Sequence, residues 1–110
     1  MREVPKPEWW SSLCLMTDYG ASTPLWVGGR NLSDLEPLNL WPHLVRSLLV
    51  WQHHFDEHFL YDREPSWDSP ASRDWYAQEG ARLYARLLRA LPGVQVTLDL
   101  WSVTGQAPNC

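Results

Sequence analysis

The chain has 110 residues, a length that fits one globular domain and excludes a multidomain mechanism. Of these residues 45% are hydrophobic and 20% are charged, a composition that excludes wholesale disorder. Its net charge of −4 argues against nucleic acid as the main partner, because a phosphate backbone requires a clustered basic surface. No run of about 18 apolar residues predicts a membrane span, and the beginning of the sequence lacks an apolar signal core. We therefore expect a cytoplasmic globular protein.

Eight tryptophans are the compositional anomaly. They are spread along the chain, so they do not mark a repeat. An indole provides a large apolar area and one N–H donor, which suits cores and binding hot spots alike. Because tryptophan is seldom fully buried in a small domain, part of this set is expected to line a groove or patch.

The first third of the chain predicts a loose start followed by two short strands. Residues 1–10 carry two prolines and are predicted to be a flexible N-terminal arm, ahead of a single domain at 11–101 and a C-terminal tail at 102–110. The run SSLCLM at 11–16 predicts a strand, PLWV at 24–27 predicts another, and Gly28 and Gly29 form a turn without phosphate-loop spacing. Residues 32–38 predict a loop or one helical turn.

The sequence DYG at 18–20 followed by PLW at 24–26 resembles the start of small uncharacterised proteins of high-GC Gram-positive bacteria. In those proteins a helix ending in an aromatic and acidic stretch and a later arginine-rich helix follow. The resemblance implies one compact domain and brings no activity with it.

A central helix is predicted from about residue 40 to the acidic stretch before Pro65. Apolar residues recur at helical spacing on one face, Asn39 is the expected N-cap, and Pro42 fits the first turn. Within it, residues 54–58 read H-x-x-E-H. His54 and His58 share a face and could hold zinc with Glu57 as general base, but a third ligand, for which Asp74 or Glu79 are candidates, is required. A solvated helix face is the stronger interpretation.

The segment 62–72 predicts an exposed loop that presents a tryptophan between acidic residues. We predict a contact patch of Trp67 with Asp62, Glu64 and Asp68, and the alternative is that Trp67 folds back onto the helices as a plug. Trp51 and Trp26 are further binding candidates.

A second helix is predicted from about 73 to 91, with Ser72 as its cap and Pro92 and Gly93 after its end. Gly80 inside this helix predicts a close approach by a bulky ring, such as a tryptophan. The arginine row Arg82, Arg86 and Arg89 is typical of a solvated face, and binding of an acidic partner or phosphate is the alternative.

The alternation in VQVTLDLW at 94–101 predicts the clearest strand. The elements together predict an α+β fold, with a small antiparallel sheet of two to three strands covered by a two-helix hairpin in β-β-α-α-β order. If the last strand is an edge, it could form a homodimer. Two cysteines do not make a disulfide framework, so Cys14 is expected to be a reduced core residue and Cys110 an exposed one.

The leading functional prediction is a protein-interaction module, in concrete form an immunity or toxin-neutralising protein, that binds a protein partner of basic character through tryptophan anchors with an acidic rim. It is not predicted to be an enzyme, and no cofactor, nucleic acid or membrane partner is expected. The alternatives are a zinc-dependent hydrolase using residues 54–58 and a small-ligand binder with a tryptophan-lined pocket.

Overall fold

The computed structural model describes residues 12–60 and 65–110. The predicted arm at 1–10 and the acidic residues Asp62 and Glu64 lie outside those ranges. Within them, no helix is long and apolar enough to cross a bilayer.

The described residues form six strands, three α-helices and one 3-10 turn, which confirms the α+β class. In chain order the elements are β1 (Ser12–Leu15), β2 (Leu25–Val27), β3 (Arg30–Asn31), a 3-10 turn (Glu36–Leu38), α1 (Pro42–His58), β4 (Phe59–Leu60), β5 (Ser66–Trp67), α2 (Pro70–Ala90), β6 (Gln95–Leu98) and α3 (Trp101–Thr104).

The main sheet has four strands in the order β3-β2-β1-β6 and is mixed, so the prediction of a two- to three-stranded antiparallel sheet is wrong in size and direction. Strands β1, β2 and β3 are antiparallel neighbours, whereas β6 runs parallel to β1, with Ser12 opposite Gln95. Residue alternation assigns the faces of a strand and not its direction. Here the direction is set by the long connection through α1 and α2, the kind of crossover that parallel neighbours need.

One face of the sheet packs on the two long helices. Leu15 lies between Leu25 and Leu98 across three strands, and Leu13 lies beside Val96. Leu13 and Leu15 are buried with Leu44 and Leu48 of α1 and Leu83 of α2, and this layer is the hydrophobic core.

The helices begin at residues other than those predicted. Trp41 precedes α1, while Asn39 adopts a left-handed conformation at φ 53° that ends the 3-10 turn. Ser69 rather than Ser72 caps α2, because its side-chain oxygen accepts the Ser72 N–H at 3.1 Å. In both helices a proline, Pro42 or Pro70, occupies the first helical position, so the residue directly before it is the N-cap.

Helix α1 ends at His58, and the chain enters a short hairpin of β4 and β5 that the sequence did not predict. Phe59 is 6% exposed and lies opposite Trp67. Phe59 adopts extended backbone angles directly after His58, so the helix ends although the apolar spacing continues from Phe55 to this ring.

A tryptophan ring of α1 packs closely against Gly80 of α2, as predicted. A Cβ atom there would lie 2.8 Å from Cζ2 of Trp51 and 3.2 Å from Cδ2 of Leu100. Trp51 is fully buried, stacks on Tyr76 with ring centroids 4.5 Å apart, and donates its N–H to the Tyr76 carbonyl at 2.9 Å. The absence of a side chain at Gly80 therefore makes room for the indole.

The last part of the chain differs from its prediction. The strand ends at Leu98, a short helix occupies Trp101–Thr104, and residues 105–110, here called the tail segment, return over the sheet. Cys110 is disulfide-bonded to Cys14, so the expectation of two free thiols is wrong. The return of the tail segment, which no local pattern encodes, brings the two residues together.

Candidate interaction surface at the helical hairpin tip

The tip of the helical hairpin joins the end of α1 to the start of α2. We define this hairpin tip by His54, His58, Asp68, Ser72 and Trp75. The His54 Nε2 lies 3.0 Å from the carbonyl oxygen of Ser72, which it can reach as a donor. The His58 Nδ1 lies 2.7 Å from Asp68 Oδ2. Both histidines thus fasten the last turn of α1 to the chain that leads into α2.

Asp68 is the electrostatic centre of this arrangement. Its hydrogen bond with His58, followed by that with Ser72, lowers the pKa of the carboxyl below its ordinary value of 3.8. Asp68 therefore carries its negative charge throughout the neutral range.

The contact of His58 with both Asp68 and Ser72 does not make a nucleophilic triad. In such a triad the carboxylate and the hydroxyl contact opposite ring nitrogens of the histidine. Here Ser72 Oγ, at 3.4 Å, and Asp68, at 2.7 Å, both approach Nδ1. The geometry supports a structural hydrogen-bond cluster rather than proton relay to serine.

The H-x-x-E-H residues are distributed over two separate contacts. The His54 and His58 rings lie on one face with centroids 4.4 Å apart, as the spacing predicts. Glu57 instead pairs with His53 at 3.2 Å on an exposed face. Among residues 12–60 and 65–110, the group of three or more donors close enough to hold a metal contains neither histidine.

Trp75 is the exposed indole of the hairpin tip. It is 40% exposed and packs on His54, with ring centroids 4.4 Å apart. Trp75 is not among the binding residues that the sequence predicts. Trp75 directly precedes the buried Tyr76, so it lies about 100° around the helix from the apolar stripe of α2. The helical period therefore indicates that Trp75 is exposed.

Negative charge is concentrated around the same tip. Residues 54–74 contain six carboxylates and two arginines, so they carry a net charge of −4, equal to that of the whole chain. Of the carboxylates in the described residues, Asp56, Glu57, Asp68 and Asp74 are exposed. The other two carboxylates of this stretch, Asp62 and Glu64, lie outside the described residues.

The described residues among those predicted for binding lie in different parts of the fold. Trp51 is fully buried, which excludes its side chain from a contact surface. Trp67 is half-buried against Phe59 and donates its N–H to the Ser102 carbonyl at 3.0 Å, which matches the alternative of a plug. Trp26 lies across the sheet on the face away from the helices, beside Cys14. Asp68 alone of the described candidates lies at the hairpin tip.

The predicted arginine row has partners within the hairpin. Arg82 lies 3.4 Å from Glu79, and Arg86 donates to Ser47 Oγ at 3.2 Å. These contacts are typical of a solvated helix face that is fastened to its neighbour.

Comparison with known proteins gives one family assignment. Searches of curated proteins and of solved structures find no match. The family model described as Serratia CdiI immunity protein-like matches residues 11–98, about four-fifths of the chain and the whole of the domain from β1 to β6. The chain therefore belongs to the Serratia CdiI immunity protein-like family.

Proposed function

We propose that this protein is an immunity protein that binds a protein toxin and neutralises it in the cytoplasm. The observation that carries the proposal is the family match over residues 11–98. The prediction of an immunity protein from small size and acidity points the same way. A protein of this kind works by occupying its partner, so it needs a contact surface and no catalytic group.

The hairpin tip is the surface that best fits this role. It combines an exposed indole, Trp75, with exposed carboxylates at the end of α1 and around the start of α2, and aromatic residues are frequent hot spots of protein interfaces. We therefore propose Trp75, in place of Trp67 and Trp51, as the tryptophan anchor and keep the predicted acidic rim.

The hairpin tip is also held in shape before a partner arrives. His54 packs against Trp75 in a tilted arrangement, and His58 and Ser69 fasten the segment that carries Asp68. A surface that is already ordered loses less conformational entropy on binding. The concentrated negative charge favours a partner with a basic contact face and accelerates the encounter at low ionic strength.

The two alternative functions gain less support. A zinc hydrolase requires a third ligand beside His54 and His58 and a general base directed at the metal, whereas Glu57 pairs with His53. A tryptophan-lined pocket between sheet and helices conflicts with the position of Trp51, which fills that space together with Tyr76.

Capture of the partner tests the function itself. The purified protein is immobilised and incubated with extract of its host at low salt, and retained proteins are identified by mass spectrometry. The captured partner is then expressed alone and with this protein in a test bacterium. We expect growth arrest by the partner alone and restored growth on co-expression. A captured partner whose expression leaves growth unaffected would refute the immunity function.

A pair of matched variants tests the surface. Trp41 at the start of α1 is 54% exposed and stacks on His43, so Trp41→Ala removes a similar indole at the other end of the helix. We expect Trp75→Ala to weaken partner binding by about 2 kcal/mol or more, roughly 30-fold in Kd, and Trp41→Ala to leave it unchanged. Calorimetric titration provides both values. Equal binding by the wild type and Trp75→Ala would reject the hairpin tip as the interface while leaving the immunity function intact.

A further inference from the structure

The sheet face that points away from the helices carries a second cluster of chemically active side chains. Trp26, Cys14 and Thr97 lie side by side across β2, β1 and β6. The tail segment passes over this row, and its Cys110 is bonded to Cys14 with a Cα–Cα distance of 5.9 Å. A cleft of about 280 Å³ remains between the sheet and the tail segment.

A carboxylate completes the cluster. One ligand atom each from Cys14, Asp99 and Cys110 lie within 4.8 Å of one another. The backbone N–H of Asn109 donates to Asp99 Oδ2 at 2.6 Å, which orients the carboxylate and ties it to the tail segment. Hydrogen bonds of this kind to metal-ligating carboxylates are typical of the outer shell of metal sites.

We propose that the reduced protein binds one zinc ion through the two cysteine sulfurs and the Asp99 carboxylate. Thiolates and a carboxylate are ligands that zinc accepts in tetrahedral geometry. With Zn–S bonds of about 2.3 Å, the sulfurs would lie roughly 3.8 Å apart. The Cα spacing of 5.9 Å allows this separation by rotation of the two side chains. The fourth position faces the cleft and takes water.

The disulfide and the zinc site are alternative states of the same two sulfurs. In a reducing cytoplasm, where we propose that the protein works, thiols convert a disulfide to two protein thiols and a small-molecule disulfide. Zinc binding then releases the two thiol protons. In the reverse direction, a small-molecule disulfide takes two electrons from the two thiolates, yields two thiols after protonation, and frees the zinc.

Both the disulfide and the zinc site hold the tail segment against the sheet. The tail segment therefore stays attached under oxidising and under reducing conditions. Without zinc and without the disulfide, the tail segment keeps the hydrogen bonds of Gly105 with Trp101, of Gln106 with Thr104 and of Asn109 with Asp99. The last two are exposed, and none of the three reaches Cys14. The inference concerns the outer sheet face and does not depend on toxin binding at the hairpin tip.

Cobalt is a suitable probe because it occupies zinc sites and reports sulfur ligands by colour. The protein is reduced with a phosphine that does not chelate metal, desalted without oxygen, and titrated with Co²⁺, after which Zn²⁺ is added. We expect one Co²⁺ per chain, a sulfur-to-cobalt charge-transfer band, and loss of the band as Zn²⁺ displaces cobalt. The oxidised protein should show no such band.

Variants identify the ligands. Cys110→Ser changes a half-exposed residue outside the core, so its fold can be verified by circular dichroism. We expect this variant and Asp99→Asn to lose metal affinity by more than the roughly 100-fold that outer-shell changes reach. His58→Ala should bind as the wild type does. Absence of stoichiometric cobalt in the reduced wild type, retained affinity in Cys110→Ser, or loss in His58→Ala would each overturn the proposal.

Discussion

The seam between α1 and α2 and the tip of the same hairpin are built from similar residues in opposite ways. In the seam, Trp51 packs into the space left by Gly80 and its N–H is satisfied by a buried carbonyl. At the hairpin tip, Trp75 lies on His54 with two-fifths of its surface in solvent. The Trp51 indole is buried and hydrogen-bonded within the chain, whereas the Trp75 indole leaves a large apolar area exposed to a partner.

This difference teaches that the number of tryptophans alone does not identify an interface. The seam should respond to substitution through stability, and the hairpin tip through binding. Measurements that separate these two responses therefore test the assignment of each region.

The largest effect is expected for Trp51→Ala. Truncation of a fully buried indole creates a cavity in the seam and should lower the free energy of unfolding by about 3–5 kcal/mol. Trp75→Ala should change it by about 0.5 kcal/mol or less, as surface substitutions do. Denaturant unfolding followed by circular dichroism measures both, and similar losses in the two variants would abolish the distinction between seam and tip.

The next effect is a loss of stability in alkali caused by Tyr76. Its hydroxyl shares a buried hydrogen bond with Thr17, and burial raises the pKa of Tyr76 from 10.0 to about 12. The unfolded chain therefore loses this proton first, so stability is full below pH 10 and falls as the pH rises towards 12. A two-unit difference in pKa corresponds to about 2.7 kcal/mol.

Tyr76→Phe should remove this contribution. The difference in unfolding free energy between wild type and variant, measured from pH 8 to 12, isolates it from other titrating groups. A difference that stays constant across this range would show that Tyr76 ionises equally in both states.

A smaller effect is expected for Gly80→Ala. Alanine favours the helix by up to about 1 kcal/mol, but its Cβ would lie 2.8 Å from the immobile Trp51 ring, and overpacking costs typically about 1–3 kcal/mol. We expect net destabilisation in thermal and denaturant unfolding. In a Trp51→Leu background the same substitution should become neutral or stabilising, and a penalty that persists there would place the conflict elsewhere, for example at Leu100.

The smallest effect is expected at the hairpin tip in acid. Because the hydrogen bond with His58 lowers the folded pKa of Asp68 below 3.8, the carboxylate stabilises the fold above the unfolded pKa and this contribution is lost as the pH falls through the folded value. Asp68→Asn should therefore be slightly less stable than the wild type near neutrality, and this difference should shrink as the pH falls through that acidic range. Identical profiles for variant and wild type would show that the His58 contact has no energetic weight.

The sequence predicted those parts of the fold that depend on periodic patterns. The two long helices, strands β1, β2 and β6, and the close approach at Gly80 all follow from spacing that local chemistry imposes. The parallel direction of β6, the β4–β5 hairpin and the disulfide depend on where distant segments meet. Residue patterns within 10 or 20 positions contain no such information.

The candidate surface could be predicted in part. Asp68 and the concentration of acidic residues were visible in the sequence, as was the shared face of His54 and His58. The burial of Trp51 could not be predicted, because this residue lies at the edge of the apolar stripe of α1, whereas Trp75 lies about 100° away from the stripe of α2. Which edge is covered depends on the crossing of the helices, and a single helix does not specify that crossing.

The parallel pairing of β1 with β6 has a consequence for synthesis on the ribosome. Ser12 and its neighbour Gln95 are separated by 83 positions, so β1 emerges long before its partner strand exists. Until β6 is synthesised, one edge of β1 is unpaired and its apolar residues are not yet covered by the helices. Chains in this state are prone to aggregation. Pairings of such high contact order also close slowly, so the final sheet should form late, after the helical hairpin.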